Sequence, residues 1–290
     1  LILNEKEMHS TAFKQKAQLN KHLNNNNPIG IFDSGIGGLT VANAVSGLLP
    51  KESFVYFGDT IHFPYGDRSE EALLSYSDSI SDFLIEKNCK AIVIACNTAS
   101  SVATQMLEEK YGASIPIINV IDPVVDEVAT SGLKSIGVIG TKQTIDSKIY
   151  QERLREKAPH LEVHAKATRS LATIIEEGLH ESTTLIQAII ENYCKTEPFN
   201  SIDGLILGCT HYPLIAREFE HYFRNRVRVF NHPEIVVYHL HKVLQEQGLL
   251  ADQSEGHSKF YFSDISLYFE ETVRLLFGES VSFEQVNLWD

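Results

Sequence analysis

Two of the four cysteines stand in turns suited to chemistry. Cys96 follows an apolar run and one small residue, Ala95, and precedes Asn97 and Thr98, where a helical pattern begins. Cys209 repeats the arrangement, with Gly208 before it, Thr210 and His211 after it, and the apolar run 204–207 upstream. A thiol has an unperturbed pKa of about 8.5, and a helix N-terminus is expected to lower it toward neutrality. One cysteine then serves as a thiolate base while the other remains a thiol acid. On opposite faces of a carbon, such a pair removes a proton from one face and returns one to the other, inverting a stereocentre without a covalent intermediate. Cys89 and Cys194 have no polar turn around them and read as buried small hydrophobes.

Other groups surround this pair in the sequence. Asp33-Ser34-Gly35-Ile36-Gly37-Gly38 is a glycine-rich turn opening a helix, a form that can aim backbone N–H groups at an anion. It lacks the P-loop Lys-Ser/Thr, and GxGxxG is absent, so it does not read as a nucleotide site. Asp33 itself suits a substrate ammonium group. Pro64-Tyr65-Gly66 reads either as a β-turn or as a pair of backbone N–H groups, on Tyr65 and Gly66, that grip a carboxylate. Ser34, Asn97, Thr98, Thr141, Thr210 and His211 are short polar groups placed to add neutral donors, and no arginine stands among them. Glu176 lies in an apolar helical run, where a glutamate ordinarily faces solvent. His232, His239, His241 and Glu234 do not make a metal site: His239 and His241 are two apart, off a shared helix face, and HExxH is absent. No lysine context for pyridoxal phosphate is evident, so no cofactor is expected. No histidine is clearly paired with a cysteine in the way a thiol hydrolase requires.

The elements that must position these groups are legible from the apolar runs. Runs near residues 29–32, 54–57, 91–95, 117–120, 135–139, 161–165, 204–207 and 227–230 each lead toward a polar turn or a helical segment, among them 69–87 and 182–196. Runs of β-branched residues without alternation suit strands buried on both faces, and strands alternating with helices predict an α/β architecture with parallel sheets. In open parallel sheets the ligand sits beyond the carboxyl ends of the strands, where these polar turns fall. The chain has 290 residues and a net charge of -13, with 43% hydrophobic and 22% charged residues, an ordinary globular mix. Such acidity disfavours nucleic acid and anionic lipid as partners. No apolar stretch approaches the roughly 20 residues needed to span a bilayer. Four cysteines without CxxC spacing are no disulfide framework. With no signal-peptide order at the N-terminus, a cytoplasmic location is expected. Residues 1–27 read as a polar tail, with a short amphipathic helix over 13–23.

Taken together, four stretches resemble the glutamate racemases of bacterial cell-wall synthesis. They are 29–41 (IGIFDSGIGGLTV), 56–66 (YFGDTIHFPYG), 92–100 (IVIACNTAS) and 204–214 (GLILGCTHYPL). ACNTAS followed by GCTHYPL is highly specific, and the resemblance runs from about 28 to 278. It implies two α/β subdomains related by a pseudo-twofold axis with the active site between them. The first would comprise 28–120 plus 231–290, and the second 121–230. It further implies cofactor-independent interconversion of L- and D-glutamate, with Cys96 acting on D-glutamate and Cys209 on L-glutamate. Asp33 would assist near Cys96, and Glu176 and His211 near Cys209. A homodimer is also implied. The chain departs from the family pattern at Asn231-His232, where Asp-Ser is usual, and at 167–173 (ATRSLAT), where Cys-Pro is common. A two-cysteine racemase for aspartate or a hydantoin, or a non-catalytic binding protein on the same fold, are the alternatives.

Overall fold

Unalternating apolar strands have to be covered on both faces, and the topology does this twice. A computed structural model describes residues 24–253, 258–279 and 281–289; the helix expected over 13–23 lies outside them. The eight expected runs form β1 (Ile29–Asp33), β2 (Phe54–Gly58), β3 (Ala91–Ile94), β4 (Ile117–Asn119), β5 (Ser135–Gly140), β6 (Glu162–Ala167), β7 (Gly204–Gly208) and β8 (Arg228–Phe230). Two further strands, β9 (Lys259–Phe262) and β10 (Phe283–Gln285), are not among the expected runs. Every strand pairing is parallel. One sheet has the order β10-β9-β2-β1-β3-β4 and the other β6-β5-β7-β8. β1, β2 and β7 are buried at every residue. Among the eight expected strands β6 departs furthest from this: it is an edge strand and no residue of it is fully buried.

The order β2-β1-β3-β4 recurs as β6-β5-β7-β8. In each sheet the chain leaves the first strand toward one side and returns with the third on the other. A crevice therefore opens between the carboxyl ends of those two strands, at the topological switch point. In the first sheet the switch lies between β1, which ends in Asp33, and β3, two residues before Cys96. In the second it lies between β5, followed by Thr141, and β7, followed by Cys209. The expected helices appear as Glu70–Glu86, capped by the Ser69 hydroxyl accepting from Ala72 N–H at 3.3 Å, and Thr183–Cys194. Two apolar clusters cover the faces of each sheet. Cys89 lies in one of them and Cys194 in another, as small core residues.

The amino ends of the first sheet are tied by a buried ion pair. Lys90 Nζ lies 2.5 Å from Glu52 Oε2, with both side chains at most 3% exposed. Glu52 Oε1 also accepts from Ala251 N–H at 2.8 Å, and Lys90 donates to the Asn25 carbonyl. Removing one partner strands a charge in a dry environment, whereas removing both does not. Lys90→Met is expected to cost about 3–5 kcal/mol in chemical denaturation, and Lys90→Met with Glu52→Leu to recover most of the loss. A single variant as stable as the parent would contradict this.

Candidate active site

The polar turns at the two switch points meet around one narrow cavity of about 20 Å³, room for about one water molecule. The first sheet lines it with Ser34, with Pro64, Tyr65 and Gly66, and with Cys96, Asn97 and Thr98. The second lines it with Thr141, Cys209, Thr210 and His211. Phe63 and Ala172 complete the wall and were not singled out by spacing. Asp33 and Glu176 stand behind the wall, both buried.

The glycine-rich turn does aim its N–H groups at anions, and the anions are the protein's own carboxylates. Asp33 Oδ2 accepts from Gly35 N–H at 3.1 Å and Gly38 N–H at 2.9 Å. Asp33 Oδ1 accepts from the Thr210 hydroxyl, from the other sheet, at 3.2 Å. Ile36 N–H donates to both Glu176 oxygens, at 3.3 and 3.4 Å. Glu176 closes the short helix Leu171–Glu176 and, far from facing solvent, is 7% exposed. Its Oε2 also meets His211 Nε2 in a short contact.

That contact continues to a thiol. His211 Nδ1 lies 3.5 Å from Cys209 Sγ, giving a Cys209–His211–Glu176 series. The sequence reading found no histidine clearly paired with a cysteine; here one pair exists, two residues apart. Burial acts to lower the His211 pKa, but the charges of Glu176 and Cys209 and the hydrogen bonds to both outweigh it, raising the imidazole well above the ordinary histidine range. His211 is therefore held as an imidazolium beside Cys209.

Cys96 has a different environment. It caps the helix Asn97–Tyr111, yet its pKa is pushed up, first by burial and next by the Asp33 charge. The Ala99 N–H and the Ser34 hydroxyl, 3.8 Å from the sulfur, act in the opposite direction and do not prevail. The expectation that a helix N-terminus brings this thiol toward neutrality is thus corrected: desolvation outweighs the helix, and Cys96 rests as a neutral thiol.

The remaining polar groups bridge the sheets. Thr98 Oγ1 lies 2.8 Å from Thr141 Oγ1 and 3.3 Å from Thr144 Oγ1. The Asn97 amide accepts from the Tyr150 hydroxyl at 2.6 Å and lies 2.9 Å from His232 Nε2. Tyr150 and His232 were missed as supports because 53 and 135 residues separate them from Asn97, and no spacing rule spans that. Gly66 packs so closely on the second sheet that a Cβ there would stand 2.7 Å from Thr141 Cβ.

Known proteins resemble this chain in sequence and in fold. A model of the Asp/Glu/Hydantoin racemase family matches residues 41–240. The chain is 36% identical over 265 residues to glutamate racemase 3 of Caldanaerobacter subterraneus subsp. tengcongensis, covering 91% of this chain and 95% of that one. It is 38% identical to the glutamate racemase of Aquifex aeolicus, covering 87% and 95%. The crystal structure of glutamate racemase from Francisella tularensis in complex with D-glutamate superposes with a TM-score of 0.84 at 34% identity, covering 91% of this chain and 99% of that one.

The raised His211 pKa depends on the Glu176 charge, so Glu176→Gln should move the imidazole titration to lower pH. Following the His211 ring protons by NMR across pH checks this. An unmoved titration would show that the carboxylate does not hold the imidazolium.

Proposed function

The chain belongs to the Asp/Glu/Hydantoin racemase family, and from that premise we propose that it is a glutamate racemase working by two thiols without a cofactor. The observation that carries the proposal is that Cys96 and Cys209, supplied by different sheets, line the same cavity. Relatives named glutamate racemase, one of them crystallised with D-glutamate, favour glutamate over aspartate or a hydantoin.

In the L-to-D direction Cys209, as thiolate, takes the α-proton, with the His211 imidazolium, itself held by Glu176, compensating the thiolate charge. Cys96, the neutral thiol, donates its proton to the opposite face of the carbanion. One C–H bond and one S–H bond break, one of each forms, and the thiols exchange protonation states. The D-to-L direction starts from that exchanged state. The Asp33 charge favours the protonated sulfur of Cys96. The substrate carboxylates fall to the backbone N–H groups of Tyr65 and Gly66 and to the Thr98, Thr141 and Ser34 hydroxyls, with Asn97, Thr210 and His211 completing the wall. From behind it Asp33 offers its negative charge to the substrate ammonium, and Glu176 holds the His211 imidazolium. A cavity of about 20 Å³ is too small for glutamate, so entry requires the two sheets or the 63–66 loop to part. Production of D-glutamate for peptidoglycan, a cytoplasmic location, a homodimer, and subdomains of 28–120 plus 231–290 and 121–230 complete this reading.

General acid–base groups contribute about 10²–10⁴-fold each. Cys96→Ala and Cys209→Ala are each expected to lower racemisation of either enantiomer by about 10³-fold, while Cys89→Ala stays near the parent by polarimetry. In heavy water at low conversion, D-glutamate formed from L-glutamate should carry deuterium and the recovered L-glutamate should not. Full activity in Cys96→Ala, or early product that retains the substrate hydrogen, would refute the two-thiol mechanism. Faster turnover of aspartate than of glutamate would refute the substrate.

A further inference from the structure

Asp59 is a fully buried carboxylate that neither lines the cavity nor belongs to the proton-transfer groups above. It follows β2 directly, and its backbone N–H donates to the Asp33 carbonyl at 2.9 Å. A carboxylate out of water is costly unless donors surround it. Three do. The Tyr65 hydroxyl donates to Oδ2 at 2.6 Å and the Ser263 hydroxyl to Oδ1 at 3.1 Å. His62 Nδ1 lies 2.9 Å from both oxygens.

Two of these donors bracket the part of the loop that forms the cavity wall. His62 lies just before Phe63 and Pro64, and Tyr65 just after them. The same short loop packs the Phe63 ring 5.6 Å from the His211 ring and sets Gly66 against Thr141 of the second sheet. Ser263, beyond β9, extends the tether: its hydroxyl also accepts from Ile61 N–H at 2.9 Å, and its N–H donates to the Gly58 carbonyl at 3.0 Å. Tyr65 is a permanent donor, because burial and then the Asp59 charge push its pKa well above the ordinary tyrosine value.

We infer that Asp59 is a positioning residue for the substrate loop: through Tyr65 and His62 it holds the Tyr65 and Gly66 N–H groups where a substrate carboxylate must land. This rests on the glutamate racemase reading. Apolar packing alone would keep the Tyr65 ring buried, but it would not fix the ring's tilt; a 2.6 Å hydrogen bond to a buried carboxylate does.

The test uses the full chain carrying Tyr65→Phe, Asp59→Asn, or both. Each variant is assayed with L- and D-glutamate and by amide hydrogen exchange over residues 63–67. Loss of a hydrogen bond to a charged group, transmitted to binding, predicts a rise of about ten-fold in KM in both directions. The kcat should stay within about three-fold, since the thiols are untouched. Exchange over 63–67 should rise in Tyr65→Phe, and the double variant should resemble Asp59→Asn alone, because both changes break one tether. Asp59→Asn can fail to fold; Tyr65→Phe removes only a hydroxyl and supplies the decisive comparison. A folded Tyr65→Phe with parental KM and parental exchange overturns the inference, as does a fall in thermal stability with KM unmoved. If the parent itself does not turn over glutamate, the racemase reading fails, and unchanged exchange over 63–67 alone then decides against the positioning role.

Discussion

Two carboxylates exchanged between the sheets hold the site together. Asp33 ends a strand of the first sheet, yet one of its oxygens is satisfied by Thr210 of the second. Glu176 belongs to the second, yet it accepts from Ile36 N–H in the first. A buried carboxylate without donors is destabilising by several kcal/mol; Gly35 and Gly38 serve Asp33 and His211 serves Glu176 from the same half, and the other sheet completes each set. The spacing of the cavity walls follows from that reciprocity. It also explains the small residues of the 33–38 turn: a Cβ on Gly35 would fall 2.3 Å from Glu176 Oε1, and one on Gly37 would fall 2.5 Å from His211 Nδ1. These glycines are required less for backbone freedom than for the close approach of the opposite sheet.

The same topology used twice does not give the same chemistry twice. Cys96 and Cys209 occupy equivalent places, each just past the third strand of a β2-β1-β3-β4 order. Their neighbours differ. Both are buried alike, but Cys96 also faces a carboxylate, Asp33, which with burial favours the protonated sulfur. Cys209 has an imidazole held charged by Glu176. The settings of the two thiols are therefore distinguished by three side chains, Asp33, His211 and Glu176, and not by the fold.

Much of this was legible in the sequence because it depends on local pattern. Unalternating runs such as 91–95 and 204–207 mark doubly covered strands, and the polar turns after them mark carboxyl ends, where a parallel sheet binds its ligand. β9 and β10 were not legible: β9 (KFYF) has no β-branched residue, and β10 is a short edge strand with two exposed residues. The Cys209–His211 contact is two residues long in sequence, but its meaning depends on Glu176, 35 residues upstream of His211 and on another element. The elevated Cys96 pKa was not legible either. A helix start is visible in sequence, whereas complete burial of the sulfur is a tertiary fact, and burial is the larger effect.

The need for two sheets follows from the geometry of the reaction. Once its α-proton has left, the carbon of an amino acid is close to planar, and inversion requires the returning proton to come from the face opposite the one that lost it. A single parallel sheet presents its ligand groups from one edge, the carboxyl ends of its strands. Groups on that edge approach a bound carbon from one side. Bringing a second carboxyl edge to face the first supplies the other side, and it encloses the carbon in a cavity lined by both. Short hydroxyls and amides at the strand ends supply neutral hydrogen-bonding groups along both walls of that cavity. The recurring strand order thus brings Cys96 and Cys209 to one cavity from two sheets, as the proposed two-thiol transfer requires, and the hydrogen bonds of Asp33 and Glu176 link those sheets.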